Sequence, residues 1–273
     1  MLRGIYGSAA AMIAQQQRQE MLTNNLANVN TPGFKADQAS LRSFPNMLIQ
    51  AMDTSNLKPG TSHYVGSLAT GSYLQERTPN FLQGDLQQTD NNTDLALLQG
   101  TVPVNEDGRQ GALFFTTQNG DSEVRYTRNG NLAVNGQGFL VNSQGFYMLN
   151  TAGQPIQVGN EGFRVDREGF VFTDDDVPVG QMQVVLAEDP MLLVKEGDGL
   201  LRLTEGGALP TAIGNGQVTY QIQQGFIERS NVDSSQTMTE MMSAYRSFEA
   251  NQKVLQAYDR SLEKAVNEVG RIG

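Results

Sequence analysis

The chain has 273 residues, enough for one large core or for two or three units. Its 29 Asp plus Glu outweigh 19 Lys plus Arg, a formal net charge of −10 that argues against nucleic acid and anionic membrane surfaces as partners. It has no cysteine, which excludes disulfides, thiolate metal sites and thiol nucleophiles, and its one histidine nearly excludes His-based triads and zinc sites.

From Leu2 to about Asn25 the sequence reads as a helix. Ile5, Ala9, Met12, Leu22, Leu26 and Val29 recur at close to 3.5 residues, with Gln16 and Gln19 on the same stripe. A coiled-coil seam tolerates such polar positions because they set register and partner number; the other reading is an ordinary amphipathic helix with a polar middle. The segment is not a signal peptide, since Gln15 to Glu20 (QQQRQE) stands where a small-residue cleavage site belongs. No stretch reaches the roughly 18 apolar residues of a transmembrane helix.

The helix has reason to stop between Asn25 and Asn30. Asn24, Asn25, Asn28 and Asn30 crowd around Leu26, and asparagine amides compete for the backbone. Pro32 disfavours helical geometry at Thr31, and Gly33 can turn the chain before Phe34. A helix cap followed by a turn accounts for the stretch.

Beyond it, Ser43 to Met52 reads as a short helix after Pro45, and Asp53 to Ser72 as an extended polar loop holding the lone, solvated His63. From about Leu74 to Gln224 the pattern is β throughout. Phe114–Thr117, Val124–Thr127, Asn131–Val134, Gly138–Val141 and Gly145–Met148 are short strand candidates. Asn119-Gly120, Asn129-Gly130 and Asn135-Gly136 signal hairpins between them. Further strands fall at Phe163–Asp166, Phe170–Thr173, Met182–Ala187 and Val218–Ile222. This spacing suggests a sandwich or barrel-like domain.

From Gly225 onward the pattern is helical again, with Asn231 or Ser234 available as a cap. Met241, Tyr245, Phe248, Gln252, Leu255, Asp259, Leu262, Val266 and Val269 step by 3.5 residues. Two heptad helices bracketing a β module are suited to pairing with each other and with neighbouring copies, and neither would be very stable alone in water. The organisation expected is thus a helix and turn over 1–34, an extended linker over 35–73, a β domain over 74–224 and a heptad helix over 225–273. The fold class is mainly β, flanked by terminal helices that form a coiled-coil assembly region.

Chemistry is sparse. No Gly-rich phosphate loop is present. Asp174-Asp175-Asp176 lacks the alternating ligands and closing Glu of a calcium loop and reads as a solvated turn, and Asp90 to Asp94 reads as an Asx-rich turn. No cofactor, metal site or small-molecule substrate is expected, and the chain does not read as an enzyme.

The stretch Asn24 to Lys35 closely resembles the signature of the bacterial flagellar basal-body rod and hook proteins. Gly84-Asp85-Leu86-Gln87-Gln88-Thr89-Asp90-Asn91, with Thr93 to Ala96, is similar to that family's entry into its β domain. Tyr126-Thr127-Arg128-Asn129-Gly130-Asn131-Leu132 resembles its central motif, and Gly225 to Asp233 its C-terminal signature. One departure is the run Thr101 to Gly111 before Phe114-Phe115, where the family has a compact Gly-x-Gly-Phe-Phe strand.

The resemblance implies a structural subunit of distal-rod character, located in the flagellar basal body. It would be exported by the flagellar type III apparatus without a cleaved signal, polymerise helically with its own copies and other rod or hook subunits, and transmit torque from motor to hook. The assembly residues it points to are Asn24, Asn25, Leu26, Asn28, Asn30, Pro32, Gly33 and Phe34 in the turn. In the C-terminal helix they are Met241, Tyr245, Phe248, Leu255, Leu262 and Val266. Two other readings stay open: an exported cap or scaffold factor, and a secreted enzyme or glycan-binding module built on the β domain.

Overall fold

A computed structural model describes residues 2–44, 47–52, 62–68, 71–106, 108–120, 123–204 and 206–269. The chain folds as two compact units, one of residues 1–26, 37–78 and 234–273 and the other of residues 27–36 and 79–233. Among the described residues no helix is long and apolar enough to cross a membrane.

The first unit holds both long helices, α1 (Leu2–Ala27) and α2 (Ser234–Val269), with strands β1 (Asp37–Ser43), β2 (Met47–Met52), β3 (Ser62–Leu68) and β4 (Ser72–Pro79). β1 pairs with β4, and β2 pairs antiparallel with β3 from Met47↔Leu68 to Met52↔Ser62. The short helix expected after Pro45 is therefore corrected: Met47–Met52 is strand β2 and Ser43 ends β1, while residues 45–46 lie outside the described residues. The loop expected over Asp53–Ser72 contains β3, where His63 pairs opposite Ala51; residues 53–61 and 69–70 lie outside the described residues. Cross-strand hydrogen bonding overrides local polarity here, a partner being invisible to a window along one strand.

The two helices pack antiparallel. Tyr258 lies against Gly4, where a Cβ would come within 2.3 Å of the phenol oxygen, and Arg18 Nη2 meets Glu240 Oε2 at 3.0 Å. On α2 the covered stripe is Thr237, Met241, Ala244, Phe248, Asn251, Leu255, Tyr258, Leu262 and Ala265, a 4–3 alternation. The sequence pattern selects the same Met241, Phe248, Leu255 and Leu262, but at the intervening positions the structure covers the preceding residue. Ala244 is buried while Tyr245 is 55% exposed, and Val266 is 72% exposed beside the half-covered Ala265. The same offset covers Asn251 beside Gln252 and Tyr258 beside Asp259, so the phase of the packed face, not the size or hydropathy of each residue, sets the stripe.

The second unit is mainly β: β5 (Leu86–Gln88), β6 (Leu95–Gln99), β7 (Ala112–Gln118), β8 (Val124–Thr127), β9 (Leu132–Val134), β10 (Leu140–Asn142), β11 (Tyr147–Met148), β12 (Arg164–Val165), β13 (Phe170–Phe172), β14 (Pro178–Gln181), β15 (Val184–Ala187), β16 (Leu193–Gly197), β17 (Leu200–Leu203), β18 (Tyr220–Gln224) and β19 (Phe226–Glu228). The largest sheet runs β16-β17-β8-β7-β11-β10-β9, with β15 also on β7. β12-β13-β14 form a small sheet, and β6 pairs with β18 and β5 with β19. The sheets are open and do not close into the expected barrel-like form.

β7 is buried over almost its whole length, and its period of two divides the core. Leu113 and Phe115 join Leu95, Leu140, Met148, Met182 and Leu186 in one cluster, while Ala112 and Phe114 join Tyr126, Val185, Leu193 and Leu201 in another.

One turn recurs. Asn135, Asn142, Asn150 and Asp166 each accept, on Oδ1, the N–H groups two and four residues on. Each is followed three residues later by a glycine at positive φ. The Asn135 hairpin thus exists, but the left-handed residue is Gly138 rather than Gly136. Asn119-Gly120 joins β7 to β8. Asn129-Gly130 is not a hairpin: a Cβ on Gly130 would sit 1.6 Å from Leu95 O, so that glycine admits a crossing strand. Asp174 to Asp176 lie in a tight turn, with Asp176 N–H donating to Thr173 O at 2.9 Å.

Candidate assembly site

The turn after α1 belongs to the β unit. Thr31 N–H donates to Asn28 O (3.1 Å) and Thr31 Oγ1 to Asn28 Oδ1 (3.2 Å), closing a tight bend before Pro32. Gly33 has φ +68° and donates its N–H to Glu228 O at 2.8 Å; a Cβ there would come within 2.5 Å of the Arg128 carbonyl carbon. Only glycine satisfies both conditions. Phe34 lies under the Lys195 ammonium, 4.5 Å from its ring centre. Asn25 is buried in the helical unit, where its amide brackets Asp37: Nδ2 donates to Asp37 O (2.8 Å) and Oδ1 accepts Asp37 N–H (2.9 Å). Asn24 and Asn30 are exposed, and Leu26, Asn28 and Pro32 are half-buried.

Next to this turn sits a buried charge cluster that sequence reasoning did not single out. The Glu228 carboxylate accepts from Lys35 Nζ at 2.5 Å, Arg128 Nε at 2.8 Å and Gly84 N–H at 2.9 Å, and all three charged side chains are at most 5% exposed. Lys35 Nζ also donates to Leu82 O (2.7 Å), and Arg128 to Leu113 O (2.9 Å) and Leu97 O (3.1 Å). Burial pulls the Lys35 ammonium down to about 8, with Glu228 opposing and Arg128 reinforcing the shift. Burial pushes the Glu228 carboxyl upward, but Arg128 and Lys35 outweigh it and hold the group below the ordinary carboxylate range.

Asn231, a candidate helix cap by sequence, uses its amide differently. Oδ1 accepts Ala36 N–H at 2.7 Å, and Nδ2 donates to Asn80 O (2.8 Å) and Leu82 O (3.1 Å). The four motifs that carry the family resemblance therefore converge: Lys35 from the first, Gly84 from the second, Arg128 from the third, Glu228 and Asn231 from the fourth. The available signal was a lone charge in each of two otherwise neutral runs, Lys35 and Arg128, but sequence spacing cannot pair charges about a hundred residues apart.

In the helical unit the site residues divide by face. Met241, Phe248, Leu255 and Leu262 are half-buried, while Tyr245 and Val266, with Met238, Met242 and Val254, are exposed. On α1, Tyr6 is 71% and Ile13 54% exposed. A shallow groove is lined by Gln19, Thr23, Met241, Met242, Tyr245 and Arg246. Gln15 Oε1 and Gln19 Nε2 are buried without a hydrogen-bond partner among the described residues. Gln16 is exposed and donates to Glu20 across one helical turn. Two helices so arranged present an apolar, partly polar-seamed surface suited to protein contact.

Comparison with known proteins gives three family matches in chain order. Residues 5–35 match the flagella basal body rod protein family, residues 110–173 the flagellar hook protein FlgE/F/G D1 domain, and residues 223–268 the flagellar basal body rod FlgEFG protein C-terminal family. The chain is 46% identical to the flagellar hook-basal body complex protein FlhO of Bacillus subtilis, over 100% of both chains. It is 29% identical to the flagellar basal-body rod protein FlgG of the same species, over 98% of this chain and 99% of that one. It is 28% identical to FlgG of Borreliella burgdorferi, over 98% of each. With a full-length relative at this identity and rod or hook matches at both ends and in the middle, the chain belongs to the flagellar basal-body rod and hook protein family.

Proposed function

We propose that this protein is a structural subunit of the flagellar axis that polymerises helically through the exposed faces of α1 and α2 and passes torque from motor to hook. The observation that carries this reading is the unpartnered apolar surface of the terminal helices, with Tyr6, Ile13, Met242, Tyr245 and Val266 open to solvent. Patches of this kind mark contact sites for other proteins. The surfaces differ in composition, so a contact from one copy to the next is heterologous and extends into a filament instead of closing a dimer. Neighbours are copies of this chain and related rod or hook subunits. Export proceeds through the flagellar type III apparatus without a cleaved signal, and the mature location is the basal body.

The test is a Met242→Lys/Tyr245→Lys variant expressed from the native locus. Both side chains are exposed, so the purified variant retains its helical circular dichroism. It should be missing from purified basal bodies, and the cells should not swim. Normal motility with the variant incorporated would overturn the reading. Wild-type protein that is exported yet never retained in basal bodies would instead identify a cap or scaffold factor.

A further inference from the structure

Gly33, Phe34, Lys35 and Ala36 are four successive residues, and each bonds to Glu228 or Asn231. Gly33 N–H donates to Glu228 O (2.8 Å), Asn231 N–H donates to Phe34 O (3.4 Å), Lys35 Nζ donates to the Glu228 carboxylate (2.5 Å), and Ala36 N–H donates to Asn231 Oδ1 (2.7 Å). The same two residues hold a third segment, Glu228 through Gly84 N–H and Asn231 through Asn80 O and Leu82 O. Asn80 N–H closes the set on Ala36 O at 2.8 Å. Residues 28–36 form no strand or helix of their own. Ordering such a segment costs about 1–2 kcal/mol per residue, and these contacts are what offset that cost. Without the Glu228 carboxylate, Lys35 and Arg128 would be two buried cations with no counter-charge between them.

We infer that residues 27–36, 80–84 and 225–231 form one cooperative clasp, in which the fold of the N-terminal loop is conditional on the C-terminal segment. The clasp opens and closes separately from the central sheet: the β7–β15 ladder from Ala112↔Ala187 to Phe115↔Val184 is built from its own pairings, and the cluster reaches β7 through the Arg128 side chain on Leu113 O, which Asn231→Ala and Lys35→Met leave in place. One consequence rests on the export reading above: a chain released N-terminus first cannot seat residues 33–36 until residue 231 has followed. The clasp itself does not depend on that reading.

Hydrogen exchange of the full-length protein, read by mass spectrometry, tests the clasp in Asn231→Ala, Lys35→Met and Glu228→Gln. Each variant should speed exchange at least tenfold in residues 27–36 and in 225–231 together, and leave 112–118 and 184–187 at wild-type protection. Asn231→Ala and Lys35→Met keep the Glu228–Arg128 pair, so they decide the matter even if Glu228→Gln fails to fold. The inference is overturned if 27–36 stays protected, if it opens while 225–231 does not, or if the central strands loosen by the same factor.

Discussion

Glu228 faces two cations with one carboxylate, and this imbalance makes the cluster sensitive to pH in opposite ways at its two ends. Lys35 titrates near 8 in the folded chain and near 10.5 when unfolded. Between those values the unfolded chain binds more protons, so this group makes stability rise with pH. A wild-type minus Lys35→Met comparison of urea midpoints from pH 7 to 10.5 should therefore show a climb totalling on the order of 3 kcal/mol. A flat difference would remove the buried ammonium from the account. Glu228 has its folded value depressed, so its contribution is present above the unfolded carboxylate range and is lost as pH falls through the folded value. Glu228→Gln should cost about 3–5 kcal/mol at neutral pH, the usual loss when one partner of a buried ion pair is removed, and should flatten the acid limb of the stability curve.

Gly33 offers a second check at this scale. Gly33→Ala meets both a left-handed φ and the Arg128 backbone, whereas Gly145→Ala has φ +86° but open space around it. Gly145→Ala should cost about 1–2 kcal/mol and Gly33→Ala clearly more, read as the difference in thermal midpoint. Equal losses would mean that the turn does not press on residues 128–129.

At the scale of elements, α2 is the informative case. A heptad pattern read from hydropathy finds Met241, Phe248, Leu255 and Leu262, then selects Tyr245 and Val266 because they are the larger apolar choices. The packed stripe takes Ala244 and Ala265 instead, because its 4–3 phase also covers Asn251 and Tyr258, the last of which lies against Gly4 of α1. Overpacking a buried position is costly and trimming an exposed one is not. Ala244→Leu should therefore lower stability by about 1–3 kcal/mol and Tyr245→Ala by less than 0.5 kcal/mol in a chemical melt. The reverse order would place the seam one residue further along. The hairpins teach a similar lesson. Asn135 was legible as a turn, but its side-chain bonds to the residues two and four positions on, which move the glycine of the turn to Gly138, require the folded backbone to be seen. Ser43 to Met52 misleads for a different reason: β2 is a strand because β3 pairs with it.

For the whole molecule, the proposed function separates a module that folds on its own contacts from helices that meet neighbours. Deleting residues 236–273 removes α2 and should leave the cooperative unfolding of the β sheet intact while abolishing incorporation into basal bodies and swimming. Basal bodies that carry the truncated chain would refute the role given to that helix. Composition, the two helices and most strands of the β domain were determined by the sequence alone, because they depend on local propensity and on periods of 3.6 and 2. Four local motifs also sufficed to identify the family. Only the tertiary structure decided that the turn after α1 belongs to the β unit, and that Lys35, Gly84, Arg128, Glu228 and Asn231 meet around one carboxylate and one amide. Those pairings join residues separated by about a hundred positions or more. Burial makes a charge demand a partner, but no spacing along the chain says which distant segment supplies it.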